Sequence, residues 1–187
     1  MVLVWGDMDR IELEHKLNEG REWLLTSYGQ LSDEELRRPR TASEHDPENR
    51  WSALDHFVHL ALIERNFNAM IRRHFAGHSN PVGLLNDDQG MPRTREQIMA
   101  TVNEWTEEWQ RQHHDDSLSE VVAITAAARG ETLQLMSELS DDQLNETLPG
   151  APWADGTVGG VLGANADHGR MHWHWVQESD KHSPAMS

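Results

Sequence analysis

Cysteine is absent from this 187-residue chain. That omission excludes structural disulfides, thiolate metal ligands and a protein-borne thiol nucleophile together, so any sulfur chemistry needs a substrate that brings the sulfur. Basic side chains are scarce: 16 Lys and Arg stand against 32 Asp and Glu, a formal net charge of -16. Such a surface repels phosphate backbones and anionic headgroups at long range, so neither nucleic acid nor membrane is an expected partner. Long apolar runs are missing as well. "MVLVW" at residues 1–5 is stopped by Gly6 and Asp7, short of a signal-peptide core, and no stretch approaches a transmembrane span. A cytoplasmic chain is expected. Tyrosine occurs once and phenylalanine three times, whereas there are 12 histidines and 8 tryptophans, and these carry the functional argument.

The length suits one domain, expected over 1–181, with "HSPAMS" at 182–187 a frayed tail that has nothing to bury. Apolar spacing predicts a first helix from about Met8 to Leu31, N-capped by Asp7, with Gly20 a weak point. "SDEEL" from Ser32 is a short acidic turn, and "RRPRTASEHDPENR" reads as loop. A second helix follows Trp51, capped by Ser52 and running to about Phe75, and the Gly- and Pro-rich "AGHSNPVGLLNDDQGMP" is a long loop. Capping-box spacings at Thr94/Gln97 and Ser117/Glu120 start helices ending near His113 and Leu139, and Ser140/Gln143 starts a brief turn. Thr157 caps the last helix, carried to about Glu178, although "VGG" at its start weakens it by roughly 1 kcal/mol per glycine.

The chain echoes itself. "YGQLSDEELRRP", a loop and "WSALDHFVHL" are mirrored by "MSELSDDQLNETLP", a loop and "WADGTVGGVLGANADH". A duplicated helix pair packs most simply as an all-α, antiparallel up-and-down four-helix bundle with pseudo-twofold symmetry, and the helix from Thr94 to His113 is then an extra insertion between the halves.

Within the last helix, His168 and His172 stand four residues apart. Positions i and i+4 share a helix face with side chains about 5–6 Å apart, so this HxxxH can present two imidazoles to one ion. His59, on the second helix, can supply a third from a facing element, leaving an open coordination position as catalytic metals have. His56, one turn from His59, is the rival ligand, while His174 points elsewhere. Asp55 and Asp167 are candidate acceptors for a ligand's second N–H. His113 and His114 read as a solvated helix end, and the acid clusters "TEEWQ" and "HHDDSLSE" as solvated faces. Trp51 and Trp153 read as plugs at a bundle end, and Trp173 and Trp175 as core, pocket-mouth or interface residues.

"LSDEEL", "WSALDHFVHL" and "HGRMH", in this order on helices, resemble the DinB/YfiT-like family of metal-binding four-helix bundles, also described as S-transferase-like. The resemblance implies one divalent ion per chain, zinc or nickel, held by His59, His168 and His172. It also implies a metal-dependent transfer of a low-molecular-weight thiol such as mycothiol, bacillithiol or glutathione onto an electrophilic small molecule, and a possible homodimer. A metal-dependent hydrolase and a non-catalytic metal- or ligand-binding stress protein are the alternatives. The sequence departs from the family after the last ligand, where it reads "HWHWV", and Arg170 lies between the ligands. Arg170 and His56 are the candidate catalytic residues, to orient an anionic thiol or carboxylate.

Overall fold

Asp9 caps the first helix: its side chain accepts from the Ile11 amide, and the expected cap, Asp7, lies outside the described residues. The computed structural model describes residues 9–43, 48–87 and 89–181, so the expected tail at 182–187 also lies outside them. The elements are α1 (Arg10–Gly29), α2 (Asp33–Arg37), β1 (Thr41–Ala42), β2 (Arg50–Trp51), α3 (Ala53–Phe75), α4 (Arg95–His113), α5 (Leu118–Glu138), α6 (Asp141–Leu144) and α7 (Val158–Lys181). Capping boxes start α2, α3, α4, α5 and α6, from Ser32, Ser52, Thr94, Ser117 and Ser140. Each satisfies two helix-end amides that would otherwise lack partners. At α7, Thr157 Oγ1 accepts from the Gly160 amide at 3.0 Å, as expected of a cap.

The four long helices α1, α3, α5 and α7 form the expected all-α bundle, but their connectivity is not a simple up-and-down order. Neighbours on α3 and α5 advance together: Glu64 meets Arg129, Asn68 meets Thr132 and Arg72 meets Glu138, so these two helices are parallel. On α1 and α7, Lys16 meets Asp167 and Trp23 meets Trp173, and these too run together. The order is up, down, down, up. Two consecutive parallel helices need a connection that returns the full length of the bundle, and α4, the extra helix expected between the halves, runs within that crossover. It lies along α3, where Trp109 Nε1 donates to the Val58 carbonyl at 3.0 Å and Gln110 Nε2 to Asp55 at 3.0 Å.

Apolar side chains gather at the two ends of the bundle. One cluster contains Leu13, Leu17, Ile71, Met136 and Leu162, the other Tyr28, Phe57, Val58, Val121 and Val176. Between them, Glu64 and Arg129 form a buried ion pair that also involves Thr132, with Asn68 bonded to the same threonine. Gly20 is not a flaw in α1. A Cβ there would stand 3.2 Å from Ala166 Cβ, so the missing side chain lets α1 and α7 approach.

The segment expected to be loop contains a small antiparallel ladder, Thr41 opposite Trp51 and Ala42 opposite Arg50. The second half repeats the device as a single bridge between Thr147 and Thr157, so the echo extends to the chain's entry into α3 and α7. Arg40, buried behind the ladder, donates to the carbonyls of Glu35 and Val176 and ties α2 to α7. Among the described residues no helix is long and apolar enough to cross a membrane.

Candidate metal centre

The antiparallel contact of α3 with α7 brings His59, His168 and His172 together. One ligating atom from each lies within 4.8 Å of the others. His168 Nε2 and His172 Nε2 face one another at 3.0 Å, a consequence of the i, i+4 spacing on α7. The ring of His59 lies 4.8 Å from that of His172 and 5.4 Å from that of His168. Zinc–imidazole bonds of about 2.0–2.1 Å separate the nitrogens of a tetrahedral site by roughly 3.4 Å, so the three rings need only small rotations to share one ion.

The donor set fits such an ion chemically. His59 and His172 are buried, and the Nδ1 of His59 has no hydrogen-bond partner among the described residues. Burying an imidazole nitrogen without a partner is costly, and a divalent cation is a partner of the right kind. Burial also keeps the rings neutral, the form that ligates. It pushes His168 down to about 4 and, opposed by Asp55 and reinforced by Arg40, His56 likewise to about 4. His59 and His172 are driven well below the usual histidine range, first by burial and then by neighbouring imidazoles.

His56 lies against the cluster rather than within it. Its Nδ1 is 2.9 Å from His172 Nδ1, and its Nε2 is 2.8 Å from Thr41 Oγ1 on β1. The expected carboxylate acceptors serve elsewhere: Asp55 accepts from Ser52 and Gln110, and Asp167 is exposed and paired with Lys16 at 2.8 Å. Arg170 does not reach the histidines. Its guanidinium lies 4.7 Å from the Trp23 ring, on the face of α7 toward α1. His174 is exposed and lies outside the cluster. His113 pairs with Asp116 at 2.7 Å and His114 approaches buried Asp55 at 3.2 Å, so that helix end is anchored rather than simply solvated.

The cluster lines a hollow of about 360 Å³ whose other walls include Thr41, Trp51, Thr106, Glu107 and Trp175. Trp51, expected as a plug, is buried with its ring 5.3 Å from both His56 and His59, and Trp175 stands 4.7 Å from His172. Trp153 does act as a plug, against Phe67. Trp173 packs in the core against Trp23 and Tyr28. Glu107, one of the acids read as solvated, accepts from Ser43 and Asn49 and so fastens α4 to the β1–β2 segment. Its place on the wall had no signal in sequence spacing, because the contact joins residues far apart in the chain.

A four-helix bundle with three imidazoles converging from two of its helices belongs to the class of helical proteins with a metal-competent interior site. The family is explicit: the chain matches the model of the DinB superfamily over residues 16–176, and it belongs to that superfamily. A solved structure, an uncharacterised protein from Escherichia coli UTI89, is similar over 92% of this chain and 92% of its own, with a TM-score of 0.57 and 17% sequence identity. At that identity the likeness concerns the fold alone. No curated protein matches the chain.

Proposed function

We propose that this protein holds one divalent cation, zinc or nickel, on His59, His168 and His172, and uses it to transfer a low-molecular-weight thiol onto an electrophilic small molecule. The observation that carries the reading is the approach of three neutral imidazoles within 4.8 Å beside a hollow of about 360 Å³. When bound, the ion supplies positive charge that lowers the pKa of a coordinated thiol. The chain supplies the rest. His56 and Thr41 orient His172, Trp51 and Trp175 keep water from the histidines, and Glu107 on the opposite wall receives the thiol proton. The sulfur then bonds to the electrophilic carbon, the bond to the leaving group breaks with its electron pair on that group, and the proton leaves with it. The absence of cysteine agrees with this assignment, since the reacting sulfur must come from outside the chain.

The test uses protein purified without a polyhistidine tag. Elemental analysis should find about one ion per chain, and none in His172→Ala. Conjugation of 1-chloro-2,4-dinitrobenzene with glutathione, bacillithiol or mycothiol should require both thiol and metal. Metal-dependent ester cleavage without thiol would replace transfer by hydrolysis. A tightly held ion with neither activity would leave a binding protein.

A further inference from the structure

A second cavity, of about 670 Å³, adjoins the histidine cluster between α3, α4, α7 and the Pro152–Asp155 segment. Its walls are apolar and aromatic: Phe67 and Met70 from α3, Val102 and Trp105 from α4, Trp153, and Met171 from α7. His168 closes its inner end and, with Val102, Thr106 and Met171, also lines the hollow that holds His59 and His172. The two spaces therefore share a boundary at a candidate ligand.

Three further observations describe an occupant. The size falls within the range of about 300–1,000 Å³ that accommodates small organic ligands. Trp105 is 46% exposed and Met171 42%, and both of these large apolar side chains stand on the wall of this cavity. Together with Phe67, Met70, Val102 and Trp153 they make a contiguous apolar lining, the kind of surface that marks a ligand-binding groove. Among the charged side chains of the wall, the one lysine, Lys16, is already paired with Asp167, and Asp155 is a carboxylate bonded to Thr157. The chain's net charge of -16 adds to that exclusion.

We propose that this cavity receives the body of the electrophile, an uncharged small molecule with an aromatic or alkyl frame, whose reactive end turns toward His168. The word electrophile rests on the thiol-transfer reading; the cavity's preference for an uncharged apolar molecule does not. The size of the chamber and its tryptophans select the substrate, while the histidine cluster fixes where it reacts.

The probe is N-phenyl-1-naphthylamine, a neutral apolar fluorophore, titrated into the purified chain and read by energy transfer from tryptophan. Saturable binding of one probe per chain is expected, with the sulfonated analogue 1-anilinonaphthalene-8-sulfonate weaker by about tenfold or more. Ala164→Trp, which fills the cavity from α7, should weaken the neutral probe by about tenfold or more while metal content is unchanged. Val102→Trp, from α4, provides a second obstruction should the first variant fold poorly. Absence of saturable binding, equal affinity for the sulfonate, or unaltered affinity in a folded obstructed variant would overturn the proposal. Probe binding that survives in a chain found to hold no metal would sink the metal-dependent reading and leave the cavity assignment standing. An ion bound without any probe would do the reverse.

Discussion

His56 and His172 meet through like nitrogens, Nδ1 to Nδ1 at 2.9 Å, while His56 Nε2 reaches Thr41 Oγ1 at 2.8 Å. A neutral imidazole has one N–H, so two proton arrangements satisfy both contacts. In one, Thr41 donates to His56, His56 donates to His172, and the remaining proton sits on His172 Nε2, where it blocks ligation. In the other, His172 Nδ1 donates to His56, His56 Nε2 donates to Thr41, and His172 Nε2 presents its lone pair beside His168. Metal binding selects the second. With His172 in its proposed role as a ligand, His56 takes the place that a carboxylate or carbonyl usually takes behind a ligating histidine. His56→Ala is expected to weaken zinc binding by about 10–100-fold without abolishing it. Competition with a chelator of known affinity measures this, and wild-type affinity in the variant would show that the pair is incidental.

Acid should act on the metal-free fold in a defined window. Histidines of the unfolded chain take up protons near 6.5, whereas burial holds His56 and His168 neutral in the folded chain down to about 4. Their folded values are depressed, so between those limits the unfolded state binds more protons and stability falls as pH falls. The full contribution is present above the unfolded value and is lost progressively below it, by up to about 3 kcal/mol for each of these two residues. Urea midpoints measured in chelator from about pH 7.5 to 5.5, where carboxylates hardly titrate, should decline in wild type. The decline should be shallower in His168→Gln. A flat wild-type profile would contradict the burial of neutral rings.

These relationships differ in how far the sequence discloses them. The i, i+4 pair His168 and His172 and the helix starts at Ser52, Thr94 and Ser117 follow from local spacing, which helical geometry converts directly into direction; the place of His59 beside that pair comes with the family resemblance, because it depends on how α3 packs against α7. Arg170 shows the same rule from the other side. Two residues from each histidine, it is rotated about 200° around α7 and reaches Trp23 instead, a consequence that spacing alone already contained. The roles of Thr41, Trp51 and Glu107 depend on pairings between distant segments, β1 with β2 and α4 with the flanking Ser43 and Asn49, and no periodicity encodes these. The parallel course of α3 and α5 was hidden for a related reason: a helix pattern fixes which face is apolar, not which end points up.

The pair of Glu64 and Arg129 in the middle of the bundle should reveal itself by asymmetry. Arg129 Nε donates to Glu64 at 2.6 Å, the guanidinium also donates to the Leu17 carbonyl, and Thr132 donates to the same carboxylate at 2.7 Å. Removing one charge leaves the other buried without its counterion, which costs about 3–5 kcal/mol, whereas replacing both by apolar side chains of similar volume is often neutral or better. Arg129→Met is therefore expected to lower the urea midpoint sharply, and Glu64→Leu in the same chain to restore most of it. A double variant that stays far below wild type would mean that the pair is a net source of stability relative to an apolar replacement.

Asp55 joins the start of α3 to the end of the crossover, and its removal should loosen α4 selectively. One carboxylate oxygen accepts from the Ser52 amide and hydroxyl, each at 2.7 Å, and the other faces Gln110 Nε2 at 3.0 Å and His114 Nδ1 at 3.2 Å. Asp55→Ala forfeits half of a capping box and the buried polar ties to α4, a loss of about 2–4 kcal/mol. The N-terminal end of α4 keeps its own capping box at Thr94, so the damage should concentrate toward Trp109 and His113. Hydrogen exchange is the suitable measurement. Faster exchange is expected in the C-terminal half of α4, with α5 and α7 protected nearly as before. Because Glu107 and Thr106 of α4 line the hollow beside the histidines, this local opening should also admit water to the site while the imidazoles on α3 and α7 keep their places. Uniformly faster exchange across the bundle would show instead that Asp55 supports the whole fold rather than the seat of its crossover helix.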